Sequence, residues 1–375
     1  MKNILILMGR YLPGYKDGGP VRTIVNLVDI LGNEYNFNIM TSDRDHGDKK
    51  SYDNIVINDW NAVGKANVYY VKDEKFKLKK IQNIAKNNDL IYCCGPYNSY
   101  AIKVMILKRF NIIKQPLVIA SMGSFSQGAL SLKSRKKKIF LNLLKILGLF
   151  KRITWSVTSE IEEEELKEVI GLDAKCIIAE DLPRDTVIKH IRIKQENELK
   201  IIFLSRICQK KNLLEAINIL KNLNSGKIIF DIYGNKEDIA YWDKCQKALI
   251  CLPKNIEWQY LGEINSEEVP KIFAKYDIFL FPTFGENYGH VIGEALLSGC
   301  VPVISDTTPW LDFNQNKCGN VVSLSNRNEF VDILKKYLHL NNLEYSIYCK
   351  NAQSYILNKN KKSINETGYR KVFDL

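Results

Sequence analysis

Long apolar runs are missing from this chain. No stretch reaches the roughly 18 uncharged apolar residues of a membrane-spanning helix, so no span is expected. The run Ile4-Leu-Ile-Leu-Met8 is too short for a secretory h-region and reads as a first buried strand. Histidine is scarce, four scattered residues in 375, which gives metal binding no support. The nine cysteines are odd in number and irregularly spaced. Cys93 and Cys94 are adjacent, and Cys245 and Cys251 are too far apart for a CxxC clip, so neither a disulfide framework nor a zinc site is expected. That usage fits reduced thiols in the cytosol. Two nucleotide signatures are also missing. Gly14-Tyr-Lys-Asp17 lacks the Gly-Lys-Ser/Thr ending of a P-loop, which excludes ATP hydrolysis through it, and no strand is followed by Gly-x-Gly-x-x-Gly, so a dinucleotide cofactor is not expected.

What is present is length, charge and periodicity. A chain of 375 residues exceeds one average core, and 46% hydrophobic with 26% charged residues is the balance of a globular protein. A net charge of +12 points to an anionic partner, such as a phosphorylated substrate, a membrane surface or nucleic acid. Nucleic acid is disfavoured because the cations are not interleaved with aromatics as a stacking platform requires.

Apolar strand runs alternate with helical patterns, the mark of parallel α/β layers. Strands are expected at Ile4–Met8, Asn38–Thr41, Asn67–Val71, Asp89–Cys94, Leu117–Ser121 and Ile153–Thr158. A second series follows at Leu199–Leu204, Ile228–Tyr233, Trp258–Leu261, Asp277–Phe281, Val301–Ser305 and Val321–Val322. Between the series, charged Lys189–Glu198 reads as a linker, which gives domains 1–190 and 191–355. Val21, Ile24, Val25, Leu27, Val28 and Leu31 share a helical face behind Gly18, Gly19 and Pro20.

The most informative stretch is Phe281-Pro-Thr-Phe-Gly-Glu286-Asn-Tyr-Gly-His290-Val-Ile-Gly-Glu294. A buried strand stops at Pro282, and a helix pattern ends at Gly299, a residue suited to a left-handed C-cap. Glu286 is expected in the loop and Glu294 about two turns into the helix. Glutamates eight apart are most often solvated charges, but Gly285, Gly289 and Gly293 crowd this turn and permit close backbone approach to a ligand. Anion-binding amides at a helix start between two carboxylates suit a ligand with phosphates and hydroxyls, such as a sugar nucleotide. After the strand at 199–204, Ser205-Arg206-Ile-Cys-Gln-Lys-Lys211-Asn212 adds Arg206 and Lys211, cations able to grip a phosphate.

With Glu286, Tyr288-Gly289, Glu294-Ala295, the continuation to Trp310, and Arg206 with Lys211, the chain resembles the retaining glycosyltransferases of family 4, or glycosyl transferases group 1. Ser205 and Asn212 stand where glycine is common in that family. The resemblance implies an α/β GT-B fold, two doubly wound Rossmann-like domains facing across a cleft, with residues 356–375 crossing back to the first. It implies catalytic roles for Glu286, Arg206 and Lys211, and donor contacts from Gly18, Gly19, Ser205, Asn287, Tyr288, Gly289, His290 and Glu294. The sugar or acceptor side would fall to Met122 and Gly123, with Met122 standing where many relatives carry histidine. The implied activity is transfer of a sugar from a nucleotide diphosphate to a hydroxyl of a glycan or polyprenyl-linked acceptor, without metal or cofactor. Synthesis of bacterial surface polysaccharide, lipopolysaccharide or capsule, by a cytoplasmic enzyme peripheral on the inner membrane face, fits that activity. A catalytically inactive sugar-nucleotide binder is the alternative that Met122 leaves open, and a glycoside hydrolase would not need Arg206, Lys211 and an anion-binding helix start.

Residues 132–152 combine clustered cations with an apolar helix and suit either an anionic membrane surface or a core helix with a solvated basic end. The acidic run Glu160–Glu165 reads as a solvated helix face.

Overall fold

A computed structural model describes residues 1–125, 134–184, 188, 192–265, 267–286 and 288–375, with side chains from residue 139 onward in the helix that begins at Ser134. The chain divides into two compact units, Met1–Leu182 with Ser363–Leu375, and Pro183–Lys362.

The first unit is built on eight strands: β1 Asn3–Leu7, β2 Asn36–Ser42, β3 Trp60–Val63, β4 Ala66–Val71, β5 Leu90–Cys94, β6 Leu117–Ala120, β7 Thr154–Val157 and β8 Lys175–Ile178. Their order is β3-β4-β2-β1-β5-β6-β7-β8, with β3 antiparallel to β4 and every other pairing parallel. Every residue of β5, β6 and β7 is buried, as in parallel strands covered on both faces. Successive side chains point to opposite faces, so Ile4 and Ile6 join one core while Leu5 and Leu7 join the other. The helix Gly19–Leu31 buries Ile24, Leu27, Val28 and Leu31 against the first core, with Val21 also buried and Val25 half-buried. The final helix, Gly368–Phe373, covers that same core. The Phe373 ring lies 5.8 Å from Tyr92, and Arg370 grips both Glu34 oxygens at 2.8 and 2.7 Å.

The second unit has six parallel strands: β9 Glu198–Leu204, β10 Lys227–Tyr233, β11 Ile256–Gly262, β12 Ile278–Phe281, β13 Val301–Ser305 and β14 Asn320–Val322. Their order is β11-β10-β9-β12-β13-β14. Counted within the unit this is the 3-2-1-4-5-6 order of a doubly wound sheet, whose connections reverse direction between β9 and β12. Ligands in such sheets bind beyond the carboxyl ends of the strands at that switch point.

Two boundaries differ from the sequence reading. The first unit ends at Leu182 rather than 190, because the following stretch is tied to the second unit. Ile188 N–H donates to Leu297 O at 3.4 Å, Arg192 N–H to Ala274 O at 3.1 Å, and the Arg192 guanidinium pairs with Glu198 at 2.6 Å and Asp277 at 3.3 Å. Of the expected linker, 189–191 lie outside the described residues. The chain rejoins the first unit at Ser363 rather than 356, because the helix Asn342–Asn365 is held by Gln353 to Leu297 O at 3.0 Å and by Asn360 to Arg184 O at 2.9 Å. The sequence reading marks no strand at β3 or β8, two short edge strands without a fully buried residue. Among the described residues no helix is long and apolar enough to cross a membrane, no His/Cys/Asp/Glu group could hold a metal ion, and all nine cysteines are free thiols.

Candidate active site

The second unit's switch point is where the predicted cations and glutamates meet. After β9 the chain runs through Ser205 and Arg206 into a short turn, Gln209–Lys211. Ser205 N–H donates to Tyr233 O at 3.1 Å, and Ile207 N–H to Asn235 O at 2.8 Å. This close approach requires Gly234, at φ 135°, since a Cβ there would stand 1.8 Å from the Ser205 carbonyl oxygen. Asn212 adopts the left-handed conformation at φ 60°, which asparagine tolerates better than most residues, and donates to Pro282 O at 2.8 Å. Asparagine here thus adopts a left-handed backbone of the kind that glycine takes readily.

The loop after β12 is fastened on both sides. Phe284 N–H and Thr283 Oγ1 donate to Lys210 O at 2.9 and 3.1 Å, which joins it to the β9 loop. On the other side, Ser305 Oγ and Thr307 Oγ1 donate to Thr283 O at 2.6 and 2.7 Å, and Glu286 N–H approaches Thr307 O at 3.4 Å. Between these fixings the Lys211 ammonium forms a close ion pair with Glu286, both side chains being about one-tenth exposed. Lys210 lies below the usual lysine range, first through desolvation, then through Lys211, with Arg206 adding and Glu286 opposing, although the residue as a whole is exposed. Three cations, Arg206, Lys210 and Lys211, and two carboxylates, Glu286 and Glu237, thus share one field. Arg206 is more exposed and pairs with Glu237 at 2.6 Å.

The helix after this loop runs from His290 to Leu297, with Gly289 at φ 79° as its left-handed N-cap. Trp310, itself buried, donates from Nε1 to the Tyr288 carbonyl at 2.5 Å and so fixes the turn into the helix. Glu294 is the fifth helical residue, just over one turn in rather than two, and is 4% exposed. A Cβ added at Gly293 would lie 3.7 Å from Ile356 and 3.8 Å from Trp310, ordinary packing distances, so this side of Gly293 faces core side chains. Gly285 is close to extended, and Gly299 lies at φ 71° just beyond the helix, as the C-cap signal implied. Asn287 lies outside the described residues.

The first unit carries its own candidate loops at the carboxyl ends of β1 and β6. Asp45, buried, accepts the Tyr15 and Lys16 N–H groups at 2.9 and 3.2 Å and shapes the loop that leads to Gly18. At Gly18 and Gly19 an added Cβ would meet nothing within 4 Å, so that helix start is open. Met122 and Gly123 are both left-handed, at φ 48° and 68°, a strained conformation for methionine. Glu162 fixes this turn. Its carboxylate accepts from Gly123 N–H at 2.5 Å, Thr158 N–H at 2.6 Å and Thr158 Oγ1 at 2.8 Å, and the side chain is buried. Within the acidic run that reads as solvated, Glu162 is therefore the exception. Its position at the first turn of the helix Glu160–Ile170, behind the Ser159 cap, directs it inward.

Residues 185–354 match the model of the family described as glycosyl transferases group 1. The second unit is a group 1 glycosyl transferase domain. Over 286 residues, 73% of this chain and 74% of the relative, the protein is 24% identical to an uncharacterised 41.2 kDa protein from the cps region of Klebsiella pneumoniae. It is 25% identical over 174 residues to a processive diacylglycerol alpha-glucosyltransferase of Acholeplasma laidlawii, 46% of this chain and 50% of that one. Its fold is similar to that of Anabaena HepE, solved in complex with UDP-glucose, across all of both chains at a TM-score of 0.70 and 14% identity. The two Rossmann-like units are the GT-B fold.

Within this glycosyl transferase domain, Ser205, Arg206, Lys211, Glu286, Tyr288, Gly289, His290 and Glu294 fall on two adjacent loops and the helix that follows. Gly18, Gly19, Met122 and Gly123 belong to the other unit. Sequence reasoning missed Gly234, Lys210 and Glu162. The first lies at a strand end that carried no paired signal, the second acts partly through its carbonyl, and the third was masked by its acidic neighbours.

Proposed function

We propose that the protein is a retaining, metal-independent glycosyltransferase that moves a sugar from a nucleoside diphosphate to a hydroxyl of a glycan or lipid-linked glycan. The observation that carries this reading is the Lys211–Glu286 pair at the switch point, flanked by Arg206 and Lys210. Arg206 and Lys211 take the leaving diphosphate, whose developing charge they stabilise more than the ground state. Glu294 accepts from the ribose diol and Glu286 contacts sugar hydroxyls near the anomeric carbon, while Ser205, Tyr288, Gly289, His290 and the undescribed Asn287 complete the donor surface. Gly18 and Gly19 approach the donor phosphate and acceptor, and Met122 with Gly123 take the sugar side. The acceptor oxygen attacks the anomeric carbon from the face the diphosphate leaves, and the departing phosphate oxygen receives its proton.

Surface-polysaccharide synthesis at the inner membrane face is supported by the cps-region relative, and a lipid-borne acceptor by the diacylglycerol glucosyltransferase. A second reading, donor binding without turnover, is favoured by Met122. Calorimetry with uridine, guanosine and adenosine diphosphate sugars, followed by product analysis, tests both. One tightly bound donor with free nucleotide and new glycoside supports the transferase. A bound donor without product across an acceptor panel favours the binder, and no bound donor rejects the site.

A further inference from the structure

Away from the loops at the carboxyl ends of the strands, the first unit has a second charged feature, at the opposite ends of β6, β7 and β8. A depression of about 870 Å³ there is lined by Lys145, Lys151, Arg152 and Lys175, with one side-chain carboxylate, Asp173, and Trp155 among its apolar lining. Beside it runs the helix Ser134–Ile146, whose two faces differ. Leu141 and Leu144 are buried in the core that includes Trp155. Ile139, Leu143 and Ile146, one stripe at helical spacing, point outward with Leu147, and Ile146 is 82% exposed. Leu172, next to Asp173, is exposed too, as is Phe110, which follows Arg109, whose Nε lies 3.1 Å from where a Gly148 Cβ would stand.

We propose that this face docks the protein on an anionic phospholipid bilayer, with a lipid head group in the basic depression and the aliphatic stripe among the acyl chains. The inference deepens the membrane part of the functional reading and rests on it, although no residue of the donor site takes part. Charge complementarity selects the occupant. Four cations around a concavity suit a phosphodiester, and exposed aliphatic residues beside them suit the region just below the head groups. A nucleic acid would use the cations but leave the aliphatic stripe in water. The Lys108 ammonium, lowered by desolvation and then by the Arg152 charge, shows that cations already crowd this end of the unit.

The test is flotation of the full chain with phosphatidylcholine vesicles, with and without phosphatidylglycerol. Binding is expected only to the anionic vesicles. Lys151→Glu with Arg152→Glu should weaken it at least about thirtyfold, and Ile146→Ser with Leu147→Ser about tenfold. Thermal melting and nucleotide-sugar calorimetry should be unchanged in both variants, so loss of fold or of the donor reading is read separately from loss of docking. Undiminished flotation of both variants, equal flotation on neutral vesicles, or none by the native protein overturns the proposal. Binding of free glycerol phosphate without vesicle binding also overturns it and assigns the depression to a soluble phosphate.

Discussion

The two units share a doubly wound plan and differ in how the loops at the carboxyl ends of their strands are made rigid. In the second unit the loops after β9 and β12 fasten to each other through Lys210 O and Asn212, so the cations and Glu286 are positioned by backbone and side chains nearby. In the first unit the turn at Met122–Gly123, which follows β6, is held instead by other elements: the Glu162 carboxylate accepts from Gly123 N–H, Tyr97 Oη donates to Ser124 O at 3.2 Å, and Ser121 Oγ donates to Ser156 O at 3.2 Å. A charged site for a constant group, such as a diphosphate, gains from dense local fixing, because preorganised charge needs no rearrangement at the moment of reaction. A turn held by other elements can change its own side chains while keeping its fold. Function resides in such loops rather than in the shared sheet.

The largest effect that would break this comparison is expected from Lys211→Ala. If Lys211 stabilises the leaving diphosphate, kcat should fall about 100- to 1,000-fold, as when one preorganised donor is removed elsewhere. An unchanged kcat with raised KM would make Lys211 a ground-state binding group only. Next is Glu294→Ala. Loss of charged acceptors for a ribose diol, at about 1.5–3 kcal/mol each, predicts donor affinity about 10- to 150-fold weaker by calorimetry, with the melting temperature nearly kept. Equal affinity would place the ribose elsewhere.

Glu162→Ala sharpens the contrast from the other side. It leaves the Gly123 and Thr158 amides without their carboxylate, which should cost about 1–3 kcal/mol of stability. Donor affinity measured in the second unit should stay the same while turnover falls. A loss of donor affinity equal to that of Glu294→Ala would show that the Met122 turn is part of the donor site.

The sheets were legible because parallel strands buried on both faces read as continuous apolar runs, and twelve of the fourteen strands among the described residues are anticipated within a few residues. The exceptions, β3 and β8, are edge strands whose partial exposure removes that signal. The meeting of Arg206, Lys211 and Glu286 at one switch point was legible because they are charged and sit in two short stretches that each follow an apolar strand run. What sequence could not supply was pairing. The solvated look of Glu160–Glu165 hides one inward carboxylate, and the charge of Lys189–Glu198 suggests a free linker where Arg192 is bound to Glu198 and Asp277. Nor does the sequence display that the side of Gly293 where a Cβ would stand meets Trp310 and Ile356.

The smallest expected effect concerns Arg206 and its partner Glu237, whose side chains are 49% and 45% exposed. An exposed pair contributes about 0.2–1 kcal/mol, so Glu237→Ala should barely move the melting temperature. Its value lies in the sign of the binding change. If Arg206 serves the diphosphate, Glu237 competes with the donor for the guanidinium, and its removal should leave affinity unchanged or raise it a few-fold, most clearly at low ionic strength. If affinity falls instead, the pair positions Arg206 as Glu162 positions Gly123. The second unit would then depend on a carboxylate from another loop as the first does on Glu162, and the contrast between mutually fastened loops and a turn held by other elements would narrow to the Lys211–Glu286 pair alone.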